Sequence, residues 1–169
     1  MALRYPKAMI YSHWLTVVLV IIAYLSSGHP TRDGFIGEIH VVSGLLVAVM
    51  IILRLPLRLI YHRQIPYHPP MAVWQENAAK IVQTALYGCM VLIPLAGWLA
   101  LSAKTQQFSA LGFSIPLNSN NSVLDLIGEL HPLLGNLFIA LAGLHAVAAL
   151  FHHFYLKDNV LRSMSPHGK

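Results

Sequence analysis

The sequence predicts an all-α membrane protein, a four-transmembrane-helix bundle forming one domain over residues 1–169. Its composition, its apolar runs and the placement of its charges carry that prediction. Hydrophobic residues make up 56% of the chain and charged residues only 10%. A soluble domain keeps roughly a quarter of its residues charged to wet its surface, so this balance excludes one. The net charge of +5 does not point to nucleic acid, because no basic cluster stands on a polar face with interleaved aromatics.

Apolar runs fall at about Met9–Ser26, Ile39–Ile60, Ala78–Ser102 and Leu130–Leu156. Each is near or above the ~20 residues a helix needs to cross ~30 Å of hydrocarbon. A segment in lipid must satisfy its own backbone hydrogen bonds, so these runs are helices and not strands. The first run follows Arg4 and Lys7 but lacks a small-x-small cleavage site, and it is expected to remain as an anchor.

The eleven Lys and Arg residues sort by side. Arg4, Lys7, Arg54, Arg58, Arg63, Lys80, Lys157, Arg162 and Lys169 fall on one side, with Arg32 and Lys104 on the other. That asymmetry places the N-terminus, the loop at 61–77 and the C-terminus in the cytoplasm. Asp33, Glu38, Asp125 and Glu129 lie outside. The proline-rich segment 61–70 is expected to be extended, and the polar outer loop 103–128 to cap the bundle.

Cys89 is the one cysteine. A disulfide within the chain, a cysteine-based metal site and covalent haem attachment through C-x-x-C-H are therefore excluded. Cys89 reads as a small packing residue.

The chemistry lies in the ten histidines. Imidazole in hydrocarbon is expensive and marks a functional site by default. His13 sits in the inner part of helix 1, His40 at the outer start of helix 2, and helix 4 carries His131 at its outer start and His145 further in. Helix 3 has none. Fourteen residues separate His131 from His145, which leaves the two side chains ~40° apart on one face and ~21 Å apart along the axis. One helix can therefore ligate two stacked cofactors. Depth pairs His40 with His131 and His13 with His145, and each pair can hold one haem iron between two neutral imidazoles, a coordination suited to electron transfer.

Gly44, Gly135 and Gly143 lie near these ligands, and small residues let a porphyrin face approach the backbone. His152, seven residues after His145, projects from nearly the same face and competes for the inner iron, a choice that spacing alone leaves open. His29, His62, His68 and His167 read as solvated surface groups, and His153 points off the ligand face. Arg54 is fourteen residues after His40 and either pairs with a haem propionate or snorkels to the inner surface. No H-E-x-x-H or comparable zinc cluster is present.

The residues that carry this pattern are Ser12-His13-Trp14-Leu15, Ile39-His40-Val41, and Gly143-Leu144-His145-Ala146 leading into His152-His153-Phe154-Tyr155-Leu156-Lys157-Asp158-Asn159. In these segments, in the arginine-rich end of helix 2 and in Leu111-Gly112-Phe113-Ser114-Ile115-Pro116, the chain resembles the bacterial cytochrome b561 family over nearly its whole length. The resemblance implies a bacterial inner-membrane protein with two haem b groups. It implies His13 and His145 on the cytoplasmic-side haem, His40 and His131 on the periplasmic-side haem, and His152 beside a haem without binding its iron.

Members of that family exchange electrons with ubiquinone, and one type oxidises superoxide. The expected role is electron transfer between a donor and the ubiquinone pool. Superoxide oxidation ranks second, because Arg32 and Lys104 among four acidic groups make a weak field for steering an anion. A haem-bearing membrane anchor subunit of a larger dehydrogenase is the alternative of a different class. His152, His153, Lys157 and Asp158 are candidates either for proton supply to a quinone or for ordinary interfacial anchoring.

Overall fold

The computed structural model describes residues 4–28, 31–66, 72–110, 112–117 and 126–166. Four long helices dominate: α1 (Lys7–Leu25), α2 (Phe35–Ile60), α3 (Val73–Lys104) and α4 (Leu130–Phe151). All four are long and apolar enough to cross a membrane. Their outward side chains confirm what surrounds them. Leu25, Ile52, Leu59, Ile81 and Phe154 are all largely exposed, which water would penalise and lipid tails would not.

The helix ends differ from the hydropathy pattern where polar contacts extend a helix beyond hydrocarbon. Helix α2 starts at Phe35, after Gly34 turns the chain at φ +53°, so His40 sits in its second turn. Helix α3 starts at Val73 because the Ala72 N–H donates to Gln75 Oε1 (3.1 Å) and Glu76 pairs with Lys80 (2.7 Å) one turn on. Polar contacts support these first turns where apolar patterning is silent.

Helix α4 ends at Phe151, before the apolar pattern does. Residues His152–Leu156 form a π-helical turn, and Lys157 in the left-handed region (φ +53°) closes it. Hydropathy does not distinguish α from π winding, which explains the longer expected span. Between α2 and α3, His62–Gln64 form a 3₁₀ turn and Ile65 is extended. His29, His68, His167, Asn118–Asn121 and Asp125 lie outside the described residues.

The described part of the outer loop forms an antiparallel hairpin, β1 (Gln107–Ala110) with β2 (Phe113–Pro116), turning at Gly112 (φ +81°). Phe108, Ala110 and Leu117 are buried with Leu101 against Val41, Val42 and Trp98, so the hairpin caps the outer ends of α2 and α3. At the inner end, the short helix α5 (Val160–Ser163) folds back under α1. The Tyr5 N–H donates to Ser163 O (3.1 Å), Arg4 donates to Ser165 O, and Trp14 Nε1 donates to Met164 O (2.8 Å).

Packing among the helices is uneven. Helix α1 packs extensively on α2, α2 on α3, and α3 on α4. Leu19, Val47, Met50, Ile51 and Met90 form the apolar core shared by the first three. Helix α4 buries none of its residues and shares no comparable contact with α1 or α2. A seam therefore runs down the bundle between α4 and the α1–α2 pair, and all four intramembrane histidines come from the helices that border it.

Candidate functional site: two histidine pairs along an interhelical seam

The outer half of the seam is a cavity of about 370 Å³. Helix α1 supplies Val20, Ala23 and Tyr24; α2 supplies His40, Gly44 and Val47; α3 supplies Cys89, Met90, Ile93 and Pro94; and α4 supplies His131, Gly135 and Phe138. The lining is apolar apart from a few groups, chief among them the two histidines. Space is left open where it matters, since a Cβ added at Gly44 or Gly135 would meet nothing within 4 Å.

His40 and His131 face each other with ring centroids 5.8 Å apart and planes at 85°. Two imidazoles on opposite sides of one metal, at about 2 Å per nitrogen, have centroids roughly 6 Å apart. Both rings are also held in the same tautomer. His40 Nδ1–H donates to the Ala23 carbonyl of α1 (2.8 Å) and His131 Nδ1–H donates to the Ile93 carbonyl of α3 (2.9 Å).

A carbonyl only accepts, so the proton sits on Nδ1 and each Nε2 keeps its lone pair. That is the arrangement by which proteins orient a histidine for metal. The donor set, the open glycine positions and the cavity fit a porphyrin iron held between two imidazoles.

Helix α3 carries no histidine, yet it positions one. A Cβ at Gly97 would fall 2.8–3.5 Å from the ring atoms of His131, so the bare backbone there is what admits the imidazole. Ile93 and Pro94, one turn away, complete that wall of the cavity. Reading for histidines alone misses Gly97 and the two carbonyls. A glycine one turn beyond an intramembrane proline was the available signal.

At the inner end, His13 of α1, His145 of α4 and Arg54 of α2 lie within electrostatic reach of one another. The Arg54 guanidinium donates to His13 Nδ1 (3.3 Å) and lies 5.5 Å from the centroid of the Tyr87 ring. It is turned into the bundle and not toward the inner water, as snorkelling would require. Gly143 again leaves open space around its Cα.

His152 Nδ1–H donates to Asp158 Oδ2 across the π-helical turn, and Asp158 Oδ1 accepts the Val160 N–H (3.0 Å). His153 stacks edge-on against Phe154, and its Nδ1 has no hydrogen-bond partner among the described residues. His62 Nδ1–H donates to the Leu59 carbonyl at the surface. Cys89 is buried in the cavity wall. No cluster of three or more metal-binding side chains exists among the described residues.

Comparison with known proteins agrees with this architecture. The family model described as prokaryotic cytochrome b561 matches residues 4–167. Cytochrome b561 homolog 1 of Escherichia coli K12 is 33% identical, the match covering 98% of this chain and 99% of the relative. A protein named probable superoxide oxidase CybB, from Yersinia pestis, is 31% identical over 96% of both chains. Cytochrome b561 homolog 2 of E. coli K12 is 28% identical over 95% of this chain. A four-helix apolar bundle with histidines along one seam, matched end to end by that model, belongs to the prokaryotic cytochrome b561 family: this chain is a multi-pass membrane b-type cytochrome of electron transfer.

Proposed function

We propose that the chain holds two b haems, one between His40 and His131 and one between His13 and His145, and transfers electrons between a donor and the ubiquinone pool. The observation that carries this reading is the outer pair: two imidazoles 5.8 Å apart, each with Nδ1–H tied to a backbone carbonyl, at a cavity floored by glycines. Bound haem iron supplies one-electron chemistry, and the protein's part is to ligate, space and insulate it. The positive-inside distribution supports cytoplasmic termini in a bacterial inner membrane, with the His40–His131 pair toward the periplasm.

The chain's own residues perform three tasks. The Ala23 and Ile93 carbonyls keep Nε2 of the outer pair free for ligation. The apolar walls from Val20, Val47, Met90 and Phe138 exclude water, which lowers the local dielectric around any charge. His152, with its Nδ1 proton given to Asp158, presents Nε2 as a base near the inner end of α4. Quinone chemistry moves protons with electrons, and His152 is the group we assign to that exchange, entered from the lipid side.

A second reading, superoxide oxidation, draws on the name of the Yersinia relative. The outer loops of this chain hold Arg32 and Lys104 among Asp33, Glu38 and Glu129, which gives little steering for an anion. An anchor subunit for a separate dehydrogenase is the third.

Four outcomes test these readings. Replacing His40 or His131 by Ala leaves haem absorbance at roughly half the wild-type value, one porphyrin per ligand pair, measured by pyridine haemochrome; full absorbance in either variant refutes the pairing. His152→Ala retains both haems and slows quinol-driven reduction on the order of a hundredfold, the usual scale of a lost acid–base group; loss of one haem would make His152 an iron ligand instead. Detergent-purified protein without any partner is reduced by ubiquinol and far more slowly by superoxide; the reverse order selects the second reading, and inertness toward both selects the anchor. Reporter fusions to Lys169 and to Lys104 give cytoplasmic and periplasmic signals respectively, and exchanged signals would invert the topology.

A further inference from the structure

Arg54 sits in α2 six residues before its inner end, with its guanidinium turned onto His13 of α1 and over Tyr87 of α3. Its charge is permanent. The ion pairs among the described residues are Glu76–Lys80 and His152–Asp158, so no described carboxylate is paired with Arg54. Arg58, one turn further along α2, adds a second positive charge to its surroundings. The groups facing Arg54 from α1, α3 and α4 are His13, Tyr87 and His145, and none is a carboxylate. A guanidinium held among helices in a membrane, beside a like charge and without a counter-ion, is a costly arrangement. It becomes favourable when an anion arrives with the ligand.

The contact with His13 carries a second consequence. Arg54 donates to Nδ1, so in neutral His13 the ring proton rests on Nε2. The outer ligands have the opposite arrangement, with Nδ1 protonated and Nε2 free. Ligation by His13 Nε2 requires Arg54 to leave Nδ1, and a planar fork of donors leaving an imidazole needs another acceptor.

We propose that Arg54 anchors a carboxylate of the inner porphyrin, exchanging His13 for that carboxylate when haem enters. This rests on the di-haem reading above and adds to it a named anion site: a bidentate donor to a propionate, on α2, beside His13 and Tyr87. Arg54 is thereby a positioning residue, fixing the porphyrin in its plane while His13 and His145 hold the iron.

The test uses the intact holoprotein in detergent, with the inner haem identified as the one lost in His145→Ala. Resonance Raman reads the propionate bending band, and a redox titration reads the midpoint potential of each haem. In Arg54→Gln the inner haem's propionate band shifts and its potential falls, because a cation that favours the reduced state is gone, while the outer haem keeps both values. Arg54→Lys retains the charge without the fork, so its potential stays near wild type while the band still shifts. If Arg54→Gln fails to load the inner haem, the band in Arg54→Lys decides.

A propionate band identical to wild type in Arg54→Lys, or an inner potential unmoved in a fully loaded Arg54→Gln, overturns the assignment. A wild-type chain with only one haem instead removes the di-haem reading beneath it. Two haems with an unmoved inner spectrum in the variants remove the Arg54 site alone.

Discussion

An imidazole inside hydrocarbon has two nitrogens to satisfy and no water to satisfy them. That constraint organises this protein. At His40 and His131 the Nδ1 proton is consumed by a backbone carbonyl of a neighbouring helix, which leaves one lone pair per ring and directs it by geometry. The helices that donate those carbonyls, α1 and α3, are not the helices that carry the rings. Ligand orientation is therefore a property of the four-helix assembly and not of any single segment.

The uneven packing follows from the same requirement. A bundle closed on all sides would bury α4, whereas α4 buries none of its residues and packs extensively only on α3 among the long helices. The seam so formed is lined by apolar side chains, glycines and histidines, the materials of a cofactor site between helices. The hairpin at the outer end and the C-terminal return at the inner end close the two ends of the bundle. Trp14, adjacent to His13, ties the inner closure to the first helix through Met164.

Much of this was legible in the residues. The spans, their number and the four intramembrane histidines follow from hydropathy and spacing, and the open glycines at 44 and 135 sit where small residues were expected. What the residues did not reveal is mostly backbone. Nothing in the identity of Ala23 or Ile93 announces that its carbonyl orients a ring in another helix. Gly97 is informative only once its neighbour across the interface is known to be His131.

The π-helical turn begins at His152 and redirects the residues after it, which hydropathy does not announce. Spacing puts Arg54 on the face of His40, and in the structure its long side chain reaches across to His13. Periodicity describes where a side chain starts, and for arginine that leaves several ångströms of reach undetermined.

The central claim is that one α4 presents an imidazole to iron at each leaflet and that α1 and α2 complete the two sites. Haem per polypeptide, taken together with low-temperature electron paramagnetic resonance of the oxidised protein, tests it most directly. The account predicts two haems per chain and two low-spin ferric signals, one absent in His131→Ala and the other in His145→Ala. A single haem per chain, or a high-spin ferric signal from the purified wild type, would contradict it.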